Sequence, residues 1–192
     1  MCGSGVFSLG FGEALERDGV SARFVARRKA LMYPWRPKPA ALGRGGKTRE
    51  VAMTFEAKDD CSGVDWVLVA ETLKRVGMAY AEPEVHKRAF EASHTTVFVY
   101  QDGQLVGFGR ALCDGAYQAA VYDVAVLPEF QGHGLGKLIM KNIMERVAGC
   151  NVILYASPGK ENFYRKLGFR LMKTGMGAFT KVEAMAKKGF TE

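Results

Sequence analysis

Residues 131–136, Gln131-Gly132-His133-Gly134-Leu135-Gly136, place three glycines at alternate positions where an amphipathic run begins. Leu135, Leu138, Ile139, Ile143, Met144 and Val147 recur in that run at helical spacing. Amides at the start of a helix have no partner inside it, and the helix dipole adds positive potential there. Glycine lets the chain turn tightly and approach an anion with no Cβ between them. The chemistry of such a turn is capture of a phosphate or diphosphate by main-chain N–H groups. Lys137 and Lys141, one helical turn apart, could support a further phosphate.

Two familiar nucleotide loops do not fit. A Rossmann fingerprint needs G-x-G-x-x-G early in a βαβ unit and an acid about 20 residues on. Here the glycines run G-x-G-x-G, and the preceding strand arrives in mid-chain after hairpins. A P-loop needs Gly-Lys-Ser/Thr, and Gly136-Lys137-Leu138 fails that test. A ligand-free helix start would gain nothing from three alternating glycines, which cost helix stability.

The segment Val124-Ala125-Val126-Leu127-Pro128, the loop residues Gln131, Gly134 and Gly136, and the downstream run Phe163-Tyr164-Arg165-Lys166-Leu167-Gly168-Phe169 together resemble the GNAT superfamily of acyl-CoA N-acyltransferases. The likeness covers roughly Met53 to Lys181. It implies an α+β fold: a mixed central β-sheet flanked by helices, with splayed central strands. It also implies acetyl-CoA as co-substrate, with no metal. Gln131, Gly132, His133, Gly134, Leu135, Gly136 and Lys137 would hold the diphosphate.

The resemblance further implies a β-bulge near Ala125 or Val126 that helps open the sheet. Backbone groups of Val124, Ala125 and Val126 would then pair with the pantetheine arm and stabilise the oxyanion. Many members carry Asn seven residues before the tyrosine, touching that arm; this chain has Ser157, whose hydroxyl can still hydrogen-bond. Tyr164 matches the tyrosine whose hydroxyl serves as general acid toward the sulfur. Its alternative role is a packed aromatic beside Phe163.

Asp123 is the candidate base. Strand alternation points its side chain away from Tyr122 and Val124, and a carboxylate in an apolar strand needs a partner or water. It either takes a proton from the amine or bonds to Arg110 or nearby backbone. His133 is a weaker choice inside the loop, facing solvent or CoA. His86 and His94, in or after a helix, are expected at the surface.

Around these residues the punctuation is regular. Val51–Glu56 alternates as a strand, and Val64–Val76 has helical spacing with Gly77 as its stop. A second helix runs from near Pro83 to about Ser93. Thr95–Tyr100, Asp102-Gly103 and Leu105–Phe108 make a hairpin. Ala119–Leu127 is a strand, and the wholly apolar Val152–Ala156 reads as a central buried one. A short helix covers about Lys160–Leu167, and Phe169–Lys173 and Met176–Lys181 read as two closing strands.

The chain has 192 residues, which suits one domain, read here as 51–192, behind a basic N-terminal extension, 1–50, expected to be disordered. Net charge is +7, but ten Lys and Arg against four acids lie before Met53, leaving 17 against 16 beyond it. A basic nucleic-acid face on the domain is therefore not expected. Arg-rich and acid-poor after Asp18, the extension also has the composition of an organellar presequence. Cys2, Cys61, Cys113 and Cys150 lack metal-knuckle or CxxC spacing, and the three in the domain read as reduced, mostly buried thiols of an intracellular, cytoplasmic protein. No run is long and apolar enough for a membrane span.

The function expected is N-acetyl transfer to a small primary amine, an arylalkylamine or polyamine. Protein-lysine or histone acetylation is the alternative within the same chemistry, and a non-catalytic acyl-CoA sensor the alternative outside it. A homodimer is left open. Met78, Tyr80 and Phe90 either line an amine pocket or belong to the core.

Overall fold

The computed structural model describes residues 54–192 together with the strand Leu31–Tyr33. Apart from that strand, the basic extension lies outside the described residues. In chain order the elements are β1 (Leu31–Tyr33), β2 (Phe55–Lys58), α1 (Trp66–Arg75), α2 (Pro83–Glu91), β3 (Thr95–Gln101), β4 (Gln104–Cys113), β5 (Gln118–Val126), a 3-10 turn (Pro128–Phe130), α3 (Leu135–Arg146), β6 (Asn151–Ile153), α4 (Glu161–Arg165) and α5 (Val182–Lys187).

Asp65 caps α1 by accepting the Leu68 N–H at 3.0 Å, which stabilises such a helix by about 1 kcal/mol. Gly77, at φ 75°, turns the chain out of it. The Gly77 and Met78 amides then close back on the Lys74 and Leu73 carbonyls. Pro83 opens α2 at a position where its missing N–H is not needed. Asp102 and Gly103 both take positive φ (49° and 81°), the two-residue turn that joins β3 to β4.

Six strands lie in the order β1-β2-β3-β4-β5-β6, antiparallel except for the β5–β6 pair. One core joins the sheet to α3 through Val97, Val106, Val121, Leu135, Ile139, Met140 and Ile143. The other joins it to α1 and α2 through Val69, Leu73, Phe90, Phe98, Phe108 and Ala125. Helices thus cover both faces, as expected of the α+β class.

Several expectations need correction. Met140 rather than Met144 faces the core, because Met144 is exposed. Val152–Ala156 is not a central buried strand: only Asn151–Ile153 is extended into the sheet, and it forms the edge. Residues 169–181 form no closing strands; the chain runs on without sheet pairing into α5. β5 and β6 pair only over Gln118–Ala120 and Asn151–Ile153, and then separate. The splayed pair is therefore one inner strand and one edge strand.

Candidate active site

The opening between β5 and the chain after β6 depends on one irregularity. Phe108 pairs with Ala125 but Arg110 pairs with Tyr122, so Asp123 and Val124 together face Gly109. Asp123 is the extra residue, with φ 53°. An inserted residue shifts the strand's alternation by one. Ala119 and Val121 face the α3 core before the bulge; Val124 and Val126 pack there after it, which turns Ala125 to the opposite core. The bulge therefore falls at Asp123–Val124, immediately before Ala125.

It also cancels the expectation that Asp123 and Tyr122 point apart. Arg110 Nε donates to Asp123 Oδ2 at 2.5 Å, and the same guanidinium lies 5.2 Å from the Tyr122 ring and 5.7 Å from that of Phe90. Arg110 and Asp123 side chains are 15% and 21% exposed, so solvent screens the pair little. His86, expected at the surface, is buried close by, and its Nε2 accepts the Ala81 N–H at 2.9 Å. Burial, more than any neighbour, holds its pKa below the usual histidine value.

At the other end, Gly134 (φ 83°) occupies the N-cap of α3, with Gly132 (φ 82°) two residues earlier. No side chain caps this helix, and the first turn carries no acid. The first amide bonded back within the helix is that of Leu138, to Gly134 O at 3.0 Å. Those of Leu135, Gly136 and Lys137 are left to a ligand or solvent. Gln131 Nε2 donates to Val126 O at 3.0 Å and so fastens the loop to the end of β5. Gly136 has a packing reason: a Cβ there would stand 3.3 Å from Phe163 Cζ.

A cavity of about 520 Å³ joins these features. Its walls include residues 121–126 of β5, the glycine loop and the start of α3, Leu154, Tyr155 and Ser157 after β6, and Phe163 and Tyr164 of α4. Tyr164 stacks edge-on against Phe163 at 4.9 Å and Phe169 at 6.0 Å, and burial raises its pKa above the usual tyrosine value.

The family model for the acetyltransferase (GNAT) domain matches residues 93–171, which contain Arg110, the bulge, the glycine loop, α3, β6 and Tyr164 but not His86 or Phe90. Over those residues the chain matches the GNAT acetyltransferase domain. It is 36% identical over 129 residues to serotonin N-acetyltransferase 2, chloroplastic, of Oryza sativa subsp. japonica, covering 62% of this chain and 64% of that protein. Over 77 residues it is 38% identical to histone acetyltransferase TAP1 of Glycine max, covering 38% and 33%. The chain thus spans less than two thirds of the length of these curated relatives. The solved structure of a GNAT-family acetyltransferase from Streptococcus pneumoniae superposes with a TM-score of 0.57 at 25% identity, over 66% of this chain and 98% of that one.

Of the residues expected in the site, Asp123, Val124, Ala125, Val126, Gln131, Gly132, Gly134, Leu135, Gly136, Lys137, Ser157 and Tyr164 all line the cavity. His133 does not, although both its neighbours do. Lys141 lies outside the lining as well, 3.7 Å from Glu145. His94 Nδ1 is 3.0 Å from Thr95 Oγ1, also away from it. Met78 lines the cavity, Phe90 is core, and Tyr80 is exposed.

Sequence reasoning missed Lys160 and the C-terminal wall of Met185, Lys188 and Phe190. Lys188 Nζ donates to Gly77 O at 3.1 Å, and Phe190 meets Tyr155 edge-on at 5.7 Å. Nothing in the spacing of those C-terminal residues signals a wall. The residues present suit acetyl-CoA: free main-chain donors with Lys137 and Lys160 at a mouth that could face a diphosphate, and apolar walls for a pantetheine arm.

Proposed function

We propose that this GNAT chain transfers the acetyl group of acetyl-CoA to a small primary amine by direct attack. The observation that carries the reading is the single cavity bounded by the uncapped start of α3, the bulged β5 and Tyr164. Amides of Leu135, Gly136 and Lys137 would bind the diphosphate, supported by the Lys137 ammonium. Backbone groups of Val124, Ala125 and Val126 would align the pantetheine, and an N–H of this stretch would donate to the thioester oxygen as it becomes an oxyanion. Ser157 would add a hydroxyl contact.

Asp123 takes the proton that the amine loses, directly or through a water, since the Arg110 bond engages one of its oxygens. Tyr164 gives its proton to the departing sulfur. Burial suits it to that role by keeping the phenol protonated. The amine nitrogen thus gains the acetyl group and loses a proton, and coenzyme A leaves as a thiol.

Tyr122, Tyr155 and Phe190 form an aromatic wall, with Tyr155 6.0 Å from Tyr122 and 5.7 Å from Phe190. With Asp123 beside it, such a wall favours an arylalkylamine, in line with the name of the rice relative. The C-terminal segment narrows the acceptor side, which favours a small amine over a lysine-bearing peptide. Residues 1–50 would direct the protein to an organelle, a reading that the chloroplastic rice relative supports.

Release of free thiol from acetyl-CoA tests the activity, measured against arylalkylamines, polyamines, amino acids and a histone-tail peptide. Acceleration by an arylalkylamine is expected. No acceleration by any acceptor, with coenzyme A still bound, would favour the sensor reading instead.

A further inference from the structure

Cys113 ends β4 and Cys150 stands just before β6, 37 positions apart, yet their Sγ atoms are 3.6 Å from each other. β5 lies between the two strands that they flank. Both thiols are free and half-buried, within reach of a small reagent. Neither lines the cavity, and acyl transfer makes no use of them. The Gly115 N–H donates to Cys113 Sγ at 3.3 Å, and Gly115 and Gly149 both adopt positive φ at the turns beside the pair.

Asp114 lies close enough to complete a three-ligand cluster. Its Oδ1, however, already accepts the amides of Ala116, Tyr117 and Gln118 at 2.8–3.1 Å. That carboxylate oxygen holds the turn into β5, which leaves the two sulfurs as the reactive groups.

We infer that Cys113 and Cys150 form a reversible dithiol–disulfide switch that ties the end of β4 to the start of β6 across β5. The oxidant is a small-molecule or protein disulfide. Cys113, as thiolate, attacks one sulfur of the reagent, breaking its S–S bond and releasing one reagent thiol. Cys150 then loses its proton and attacks the Cys113 sulfur of the mixed disulfide, releasing the second thiol. The protein gives up two electrons and two protons, and the reagent disulfide becomes two thiols. The order follows from the hydrogen bonds: Cys113 sulfur receives the Gly115 N–H, while its bond to Cys150 pushes the Cys150 thiol pKa up.

The bridge would close a long loop that contains β5, the glycine turn and α3, and would restrain the unfolded chain accordingly. It would also pin β6 where the β5–β6 pairing begins, just ahead of the cavity residues Leu154, Tyr155 and Ser157.

The test incubates the full chain with glutathione disulfide at pH 8, followed by peptide mapping and thermal melting. A 113–150 cross-linked peptide is expected, with a melting point raised by roughly 5–10 °C and restored by dithiothreitol. Cys113→Ser and Cys150→Ser should each abolish that rise, and Cys61→Ser should retain it. Separate glutathione adducts without a cross-link would overturn the inference. So would a bridge to Cys2 or Cys61, or zinc held through dialysis that blocks oxidation of the pair.

Discussion

Arg110 on β4 donates from Nε to Asp123 Oδ2 across the bulge of β5, so the residue that breaks the strand's alternation is also the one held by its neighbour. Asp123 lies in the left-handed region at φ 53°, where Asp and Asn are tolerated far better than branched residues. Asp123→Asn should therefore preserve the bulge, weaken the Arg110 bond and remove the base. We expect a loss of about 1–3 kcal/mol in urea unfolding and a fall in kcat/KM of roughly 100-fold. Unchanged turnover with the expected loss of stability would make the pair structural only.

Tyr164→Phe deletes one hydroxyl and leaves the ring packed against Phe163 and Phe169. A fall in kcat of about 100-fold or more is expected, with the melting point little changed. Because burial raises the phenol pKa, the folded state holds its proton where an unfolded tyrosine would lose it. This contribution to stability is complete below about pH 10 and is lost as pH rises further. Urea titrations of the wild type and Tyr164→Phe on either side of pH 10 would show the wild type falling more steeply.

His86 gives a dependence at the acid end. Its folded pKa is depressed, chiefly by burial, so the unfolded chain takes up the proton first as pH falls. Stability is complete above about pH 6.5 and declines below it. Protonation would also remove the Nε2 acceptor of the Ala81 amide. The urea midpoint of the wild type should drop between pH 7.5 and pH 5.5, and His86→Gln should flatten that slope.

Two loop glycines should separate conformation from packing. Gly134→Ala places a Cβ at φ 83°, costing about 1–2 kcal/mol and moving the amides that would face the diphosphate. Its dissociation constant for coenzyme A in calorimetry should rise by roughly tenfold or more. Gly136→Ala meets Phe163 Cζ at 3.3 Å instead, so it presses on the helix that carries Tyr164. A milder change in affinity with a larger effect on kcat is expected.

Much of this was legible in the residues. The glycine turn, the helix behind it and the Asp102-Gly103 hairpin rest on local chemistry, and α1 and α2 on their stop and start signals. A period-two pattern assumes regular pairing and so sets Asp123 opposite to Tyr122, whereas Gly109 opposite Asp123 becomes informative only in register. A Cβ at Gly109 would lie 2.7 Å from Ile139 Cγ2, a helix-to-sheet contact that no local pattern encodes. Residues 169–181 read as strands because their apolar residues allow it, but pairing needs a neighbouring edge, and none engages them among the described residues. The cavity wall supplied by Lys188 and Phe190 depends on contacts more than a hundred residues apart in the first case, Lys188 to Gly77.

The Lys188–Gly77 bond and the Phe190–Tyr155 contact bring residues 185–190 to the wall of the cavity. A bulky label or fluorescent tag carried beside Phe190 would press on that wall. Kinetics recorded on such a protein would report the appendage as well as the chain itself, so handles placed away from this segment are the sounder choice for assays.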